Sequence, residues 1–295
     1  MTSSTRTYKL NGLRLDWPGR WRVLWETGSP GMPAPRLTET PIPGLDGAVV
    51  AAGGLEAIEK PMVIMVWDMD ERGRRGGYRQ RRTNEAILKR LLSSTRLRPG
   101  ILTLVEEYTR RARTQWETPC LLGSSVEVEE TAPDSAKLTF SLKLPSPVWR
   151  ETVSRYCECV PDTGGTAVLL NGFTGGSAPI WPVWVVKAPV SRLIVTDVVS
   201  GELTEWQGSI SGGRVLLMDT ASYRWGTASL GEEWPLVEES PEWGAALAGS
   251  AASVLAAAPV WPDATGRYRV RIRVDGQDLS RETVRVMCRG KRSVL

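Results

Sequence analysis

Apolar and polar residues alternate over several stretches of this chain. In residues 136–144, AKLTFSLKL, Leu138, Phe140, Leu142 and Leu144 fall on one side and Thr139, Ser141 and Lys143 on the other. Residues 267–274, RYRVRIRV, alternate more strictly, with Tyr268, Val270, Ile272 and Val274 between Arg267, Arg269, Arg271 and Arg273. Residues 283–290 repeat the pattern, with Val284, Val286 and Cys288 as the inward set, and Asp275-Gly276 marks a turn before them. A period of two predicts antiparallel strands with one face buried. The runs MVIMVW at 62–67 and ILTLVEE at 101–107 predict further strands.

One segment has a different period. In residues 83–95, Ile87, Leu88, Leu91 and Leu92 make a single stripe at 3.6 residues per turn, which predicts a helix. Thr83 is placed to cap it, and Pro99-Gly100 closes it off. Pro145-Ser146-Pro147 cannot continue a strand ladder, and beyond Arg150 the chain turns rich in Gly, Thr and Ser. The reading is two domains: residues 1–150, β-rich with one helix, and residues 151–295, an all-β sandwich. Within the second, 244–258 is low in complexity and reads as a loop or a short helix.

Composition narrows the chemistry. The 295 residues contain no histidine. That removes Ser-His-Asp and Cys-His catalysis, imidazole acid–base work and most zinc sites. No stretch is apolar enough for a membrane span, and the first residues lack the apolar core of a secretory signal, so folding in the cytoplasm is expected. Cys120, Cys157, Cys159 and Cys288 are too few and too unevenly spaced for a disulfide scaffold, and read as reduced, inert thiols. No cofactor or metal is expected, and no enzyme.

Three groups of residues carry what chemistry there is. Asp68, Asp70 and Glu71 follow the 62–67 strand; a carboxylate-only glycosidase needs such acids on facing strands, whereas here they sit in a charged loop. Residues 72–82 hold Arg72, Arg74, Arg75, Arg79, Arg81 and Arg82, and account for most of the basic excess of residues 1–150. This arm reads as an assembly contact for an acidic neighbour, as a solvated loop or as a phosphate contact. With Ile87 and Leu91 of the helix it forms the candidate subunit interface. Thirteen Trp stand against two Phe. Trp181 and Trp184 look like packing, whereas Trp234, Trp243 and Trp261 are candidates for a peripheral protein or glycan contact.

The ordered set of motifs resembles the distal tail protein family of long-tailed phages, also described as minor tail proteins. The motifs are Tyr8-x-Leu10-Asn11-Gly12-Leu13-x-Leu15, the turn Pro41-x-Pro43-Gly44-Leu45-Asp46-Gly47, and the basic loop with its helix. Pro145-Ser146-Pro147-x-Trp149-Arg150, the stretch from Asn171 to Val186, and Arg214–Asp219 complete the set. The resemblance implies an N-terminal split β-barrel with an added helix and hairpin, and a C-terminal β-sandwich of the galectin or carbohydrate-binding-module kind. It implies a homo-hexameric ring at the virion tail tip joining the tail tube protein to the tip hub, with tape-measure and receptor-binding proteins as further partners. Residues 231–265 exceed what a compact sandwich loop needs and read as an insertion. The alternative reading is a carbohydrate-binding adhesion module that meets a host glycan.

Overall fold

The computed structural model describes residues 5–28, 31–41, 48–107, 113–160, 166–187, 189–229, 242–243, 253–276 and 285–295. It divides into two compact units, Met1–Arg150 with Leu295, and Glu151–Val294. Each is mainly β.

The first unit contains β1 (Thr5–Leu10), β2 (Leu13–Arg14), β3 (Trp21–Val23), β4 (Pro35–Pro41), β5 (Ala48–Leu55), β6 (Ile58–Trp67), α1 (Gly77–Ser93), β7 (Gly100–Glu107), β8 (Arg113–Leu122), β9 (Glu127–Ala132) and β10 (Ser135–Leu144). A short strand, β11 (Trp149–Glu151), runs across the division. Seven of these form one curled sheet in the order β2-β1-β7-β8-β10-β6-β3, with β9 also on β10. Every pairing along it is antiparallel. The first turn is a two-residue hairpin in which Asn11 and Gly12 both take positive φ, at 50° and 83°. That is the conformation Asn-Gly tolerates best.

β6 and β10 pair over their whole length, Ile58↔Leu144 to Trp67↔Ser135. The alternation expected for 136–144 is present: Ala136, Leu138, Phe140, Leu142 and Leu144 are all buried. Their cross-strand partners on that face are Val66, Ile64, Met62 and, against Leu142, the buried Lys60. Burying each large aliphatic side chain in such a row stabilises the fold by about 1.5–3 kcal/mol. β4 and β5 form a separate two-stranded ribbon that pairs with no other strand among the described residues. Side chains 35–40 along it are exposed.

The second unit contains β12 (Arg155–Cys159), β13 (Val168–Leu169), β14 (Val183–Lys187), β15 (Val190–Asp197), β16 (Leu203–Ile210), β17 (Arg214–Asp219), β18 (Arg224–Ser229), β19 (Glu242–Trp243), β20 (Ser253–Ala256), β21 (Arg269–Asp275), β22 (Arg285–Gly290) and β23 (Ser293–Val294). All of these but β23 build two sheets, β12-β22-β14-β17-β18-β19 and β13-β21-β15-β16-β20. Trp184, Val186, Leu216, Met218, Val286 and Cys288 of the first meet Leu193, Val195, Trp206, Val270 and Ile272 of the second in one core. The inward set of 267–274 is buried as expected, and the arginines between alternate outward.

β17 departs from alternation, because Val215 and Leu217 enter a second apolar cluster with Val185, Ala228 and Met287. The low-complexity stretch is corrected in part: 253–256 is neither loop nor helix but a strand, since Ser253, Val254 and Ala256 pair with β16. The rest of its first half, 244–252, lies outside the described residues, as do Val284 and the turn at 43–47.

The Gly-rich stretch after Asn171 packs around Tyr268. The Tyr268 hydroxyl donates to the Ala178 carbonyl at 2.6 Å, and the ring meets Phe173 edge-on at 6.4 Å. A Cβ on Gly176 would fall 2.0 Å from that hydroxyl, so only glycine fits.

Candidate functional site

The expected basic arm is a short loop followed by helix. α1 starts at Gly77, six residues before the expected 83. Its first exposed amide is met from outside the helix: the buried Asp68 carboxylate accepts from the Gly77 N–H at 3.2 Å. This is an N-cap supplied by a residue nine positions earlier. Thr83, the expected cap, lies inside the helix, where its hydroxyl donates to the Arg79 carbonyl one turn back.

The three loop acids are each committed. Asp70 accepts from the backbone N–H of Arg72 and Arg74 at 2.8 and 2.9 Å and pairs with the Arg74 side chain. These bonds, led by the Arg74 amide, hold its carboxyl below the ordinary range. Glu71 pairs with Arg20 at 2.8 Å. The Arg20 guanidinium also stands over the Trp17 and Trp21 rings, at 4.8 and 4.6 Å. Asn84 ties helix to loop, donating to the carbonyls of Trp67 and Met69 at 2.8 and 2.9 Å and accepting from Arg20. Asp68 caps, Asp70 shapes the turn and Glu71 pairs with Arg20.

The six arginines separate. Arg81 is fully buried, which overturns its place in the candidate interface. Its guanidinium pairs with Glu130 at 2.6 Å and Glu85 at 3.4 Å, donates to the carbonyls of Ala132 and Ser135, and lies over the Tyr78 ring. Burial alone would lower its proton affinity; the Glu130 hydrogen bond and the charges of Glu130 and Glu85 outweigh that and raise it. Arg72, Arg74, Arg75, Arg79 and Arg82 are exposed. Arg75 reaches Asp134 at 3.3 Å and Arg82 reaches Glu85 at 3.1 Å. Ile87 and Leu91 are half-buried, while Leu88 and Leu92 fill the core. What remains is five exposed arginines, three of them ion-paired with Asp70, Asp134 and Glu85, with Tyr78 exposed in the same segment. At the other end of α1 an open cleft is lined by Lys89, Ser93, Arg96, Leu122, Ser124 and Val126, with no carboxylate in its lining.

In the second unit Trp184 and Trp206 are core residues, and Trp206 meets Trp225 edge-on at 5.7 Å. Trp181 is not simply packing: it is 36% exposed, close to the 38% of Trp261. The Ile180↔Val260 bridge joins the two segments, so each Trp stands one residue beyond a shared bridge whose own side chains point into the core. Sequence reasoning singled out Trp261 and missed its neighbour, because the bridge links positions eighty residues apart. Trp234 lies outside the described residues; for Trp243 only the backbone pairing with Gly226 is described.

The fold defines a two-unit β protein with five exposed arginines on its first unit and Trp181 and Trp261 partly exposed on its second. No protein-family model matches the sequence, and no curated protein is a match. Among solved structures the chain is similar to SPP1 Dit, described as a paradigm of the hub adsorption apparatus in phages infecting Gram-positive bacteria. The TM-score is 0.58 at 13% identity, over 99% of this chain and 100% of that one. The phage p2 baseplate in its activated conformation, with strontium and with calcium, matches at TM-scores of 0.38 and 0.35, 12% and 11% identity, over 97% and 98% of this chain and 98% of each of those. The chain shares the fold of SPP1 Dit.

Proposed function

We propose that this chain is a non-enzymatic structural subunit of a long-tailed phage tail tip, in the distal tail role. Six copies close into a ring that joins the tail tube to the tip hub. The observation that carries the reading is the likeness to SPP1 Dit over the whole length of both chains. Two observations support it: the loop acids are engaged in capping, turn formation and an ion pair, while Arg72, Arg74, Arg75, Arg79 and Arg82 are exposed.

A ring closes when one patch meets a different patch on the next copy. Arg72, Arg74, Arg75, Arg79 and Arg82, with the half-buried Ile87 and Leu91, form one such patch, facing acidic surface on a neighbour. The first unit lines the ring, and the second carries peripheral or receptor-binding proteins. Tape-measure protein is a further partner, and the assembled location is the virion tail tip.

Native mass spectrometry of the chain, alone and mixed with tail tube and hub proteins, tests this. A species of six copies is expected, and the triple variant R72E/R74E/R79E is expected to lower its population at least tenfold while leaving the fold intact by circular dichroism. A chain that remains monomeric with both partners present would sink the reading.

A second reading rests on Trp181 and Trp261, exposed on adjoining segments as a stacking pair for a sugar ring. Titration of the full chain with cell-wall glycans would quench tryptophan fluorescence in the parent and not in W261A. An unchanged signal across a glycan panel removes it.

A further inference from the structure

Three of the four thiols lie together on the inner face of one sheet. Cys157 and Cys159 share β12, and Cys288 sits on the adjacent β22. The register pairs Cys157 directly with Cys288, and Cys159 with Val286. All four cysteines are free thiols in the structure.

Directly opposed residues of an antiparallel pair have Cα atoms about 4.5 Å or about 5.5 Å apart, depending on whether they share hydrogen bonds. Both values lie inside the window of about 4.4–6.8 Å that a disulfide spans. Cys157 and Cys159, two residues apart along one extended strand, are separated by about 6.5 Å of rise, at the outer limit. Cys288 is therefore the better placed of the two possible partners.

The two thiols differ in access and in charge. Cys157 is only half-buried and its Sγ lies against the backbone carbonyls of Glu158 and Leu169, whereas Cys288 is fully buried. The neighbouring Cys159 thiol, with the amides of Gly172 and Asn171, pulls Cys157 down to about 6 against the opposing effect of burial. Burial pushes Cys288 well above the ordinary thiol range, and Cys120, in the other unit, up to about 12. An accessible thiolate beside a buried, protonated thiol is the arrangement of an attacking and a resolving cysteine.

We propose that Cys157 and Cys288 are a peroxide-sensitive pair that closes into a cross-strand disulfide between β12 and β22. The Cys157 thiolate attacks one oxygen of hydrogen peroxide; the O–O bond breaks, giving Cys157 sulfenic acid and hydroxide. Cys288 sulfur then attacks the sulfenic sulfur, its proton leaving with the displaced hydroxyl as water. Both sulfurs are oxidised by one electron each, and the peroxide is the electron acceptor throughout. The bridge closes a loop of about 130 residues and fastens β12, which ends the six-stranded sheet, to its neighbour. It rests on this register and on the differing exposure of the two thiols, and holds independently of the tail-tip reading.

Peptide mapping of the full chain, before and after dilute hydrogen peroxide, tests it. A Cys157–Cys288 linked peptide, lighter by two hydrogens, is expected, with a rise in Tm of roughly 5–10 °C that a reductant reverses. C288A is expected to stop at a sulfenic acid on Cys157, trapped by dimedone, and C120A to bridge as the parent does. Because the map of the unsubstituted chain is itself decisive, a poorly folding variant leaves the test intact. A bridge to Cys159, a bridge between copies, or no loss of hydrogens while Cys157 is oxidised would overturn the proposal.

Discussion

Single residues show most plainly where this fold departs from an apolar core. Lys60 stands in the β6–β10 row where an aliphatic residue would be expected, its Nζ donating to the Gly28 carbonyl at 3.1 Å and lying over the Tyr8 ring. Burial, with some help from the charge of Arg6, lowers its proton affinity to about 8. Below that pH folded and unfolded chains both hold the proton. Between about 8 and 10.5 the unfolded chain binds more, so stability rises with pH across that window. We expect a gain on the order of 2–3 kcal/mol in urea unfolding between pH 7.5 and pH 10.5. K60M should flatten that slope, and an equal slope in parent and variant would refute the assignment.

Arg81 carries the opposite hazard. Removing it leaves Glu85 with Arg82 and Lys89 alone and takes the donor from the Ala132 and Ser135 carbonyls, so R81M should cost about 1.5–3 kcal/mol by the same measurement. The surface variant R79M should cost under about 0.5 kcal/mol.

Elements were legible in proportion to how evenly they are half-buried. β10 and β21 alternate because each has one face on a core, and their inward residues could be named from the sequence alone. β17 is apolar on both faces, and β2 and β19 are two residues long, too short for any period. The helix stripe was legible and the helix start was not, because a carboxylate nine residues upstream replaces the local cap. Gly76-Gly77 and the arginines around them have the composition of a flexible loop; pairing with Glu130 of β9 shows that part of the run is interior. D68A should therefore cost about 1 kcal/mol and D68N much less. The amides of Gly77–Arg82 should exchange faster in D68A while those around Leu92 stay protected. Uniform loss of protection along α1 would show that Asp68 does more than cap.

At the scale of the whole molecule, charge is divided: residues 1–150 carry a net +6 and residues 151–295 a net −2. Exposed cations attract acidic surface only over a Debye length, about 10 Å at 0.1 M salt. On the proposed ring, contact through the exposed arginines should therefore weaken steeply as salt is raised, and light scattering across a salt series would read this directly. Salt-independent assembly would point to the half-buried Ile87 and Leu91 instead. The candidate sites were harder to read than the fold, since the segments of Trp181 and Trp261, and of Cys157 and Cys288, meet only through strand pairing between distant parts of the chain.

The ribbon of β4 and β5 has a practical consequence. Two strands that pair with no other strand among the described residues hold weakly in water, and here the exposed side chains include Arg36 and Glu39. A trace of trypsin or of a glutamate-specific protease should nick the protein there before it touches either core. On the proposed tail-tip role, a partner laid over that strip would slow this one cut, and its rate would then gauge assembly without a label.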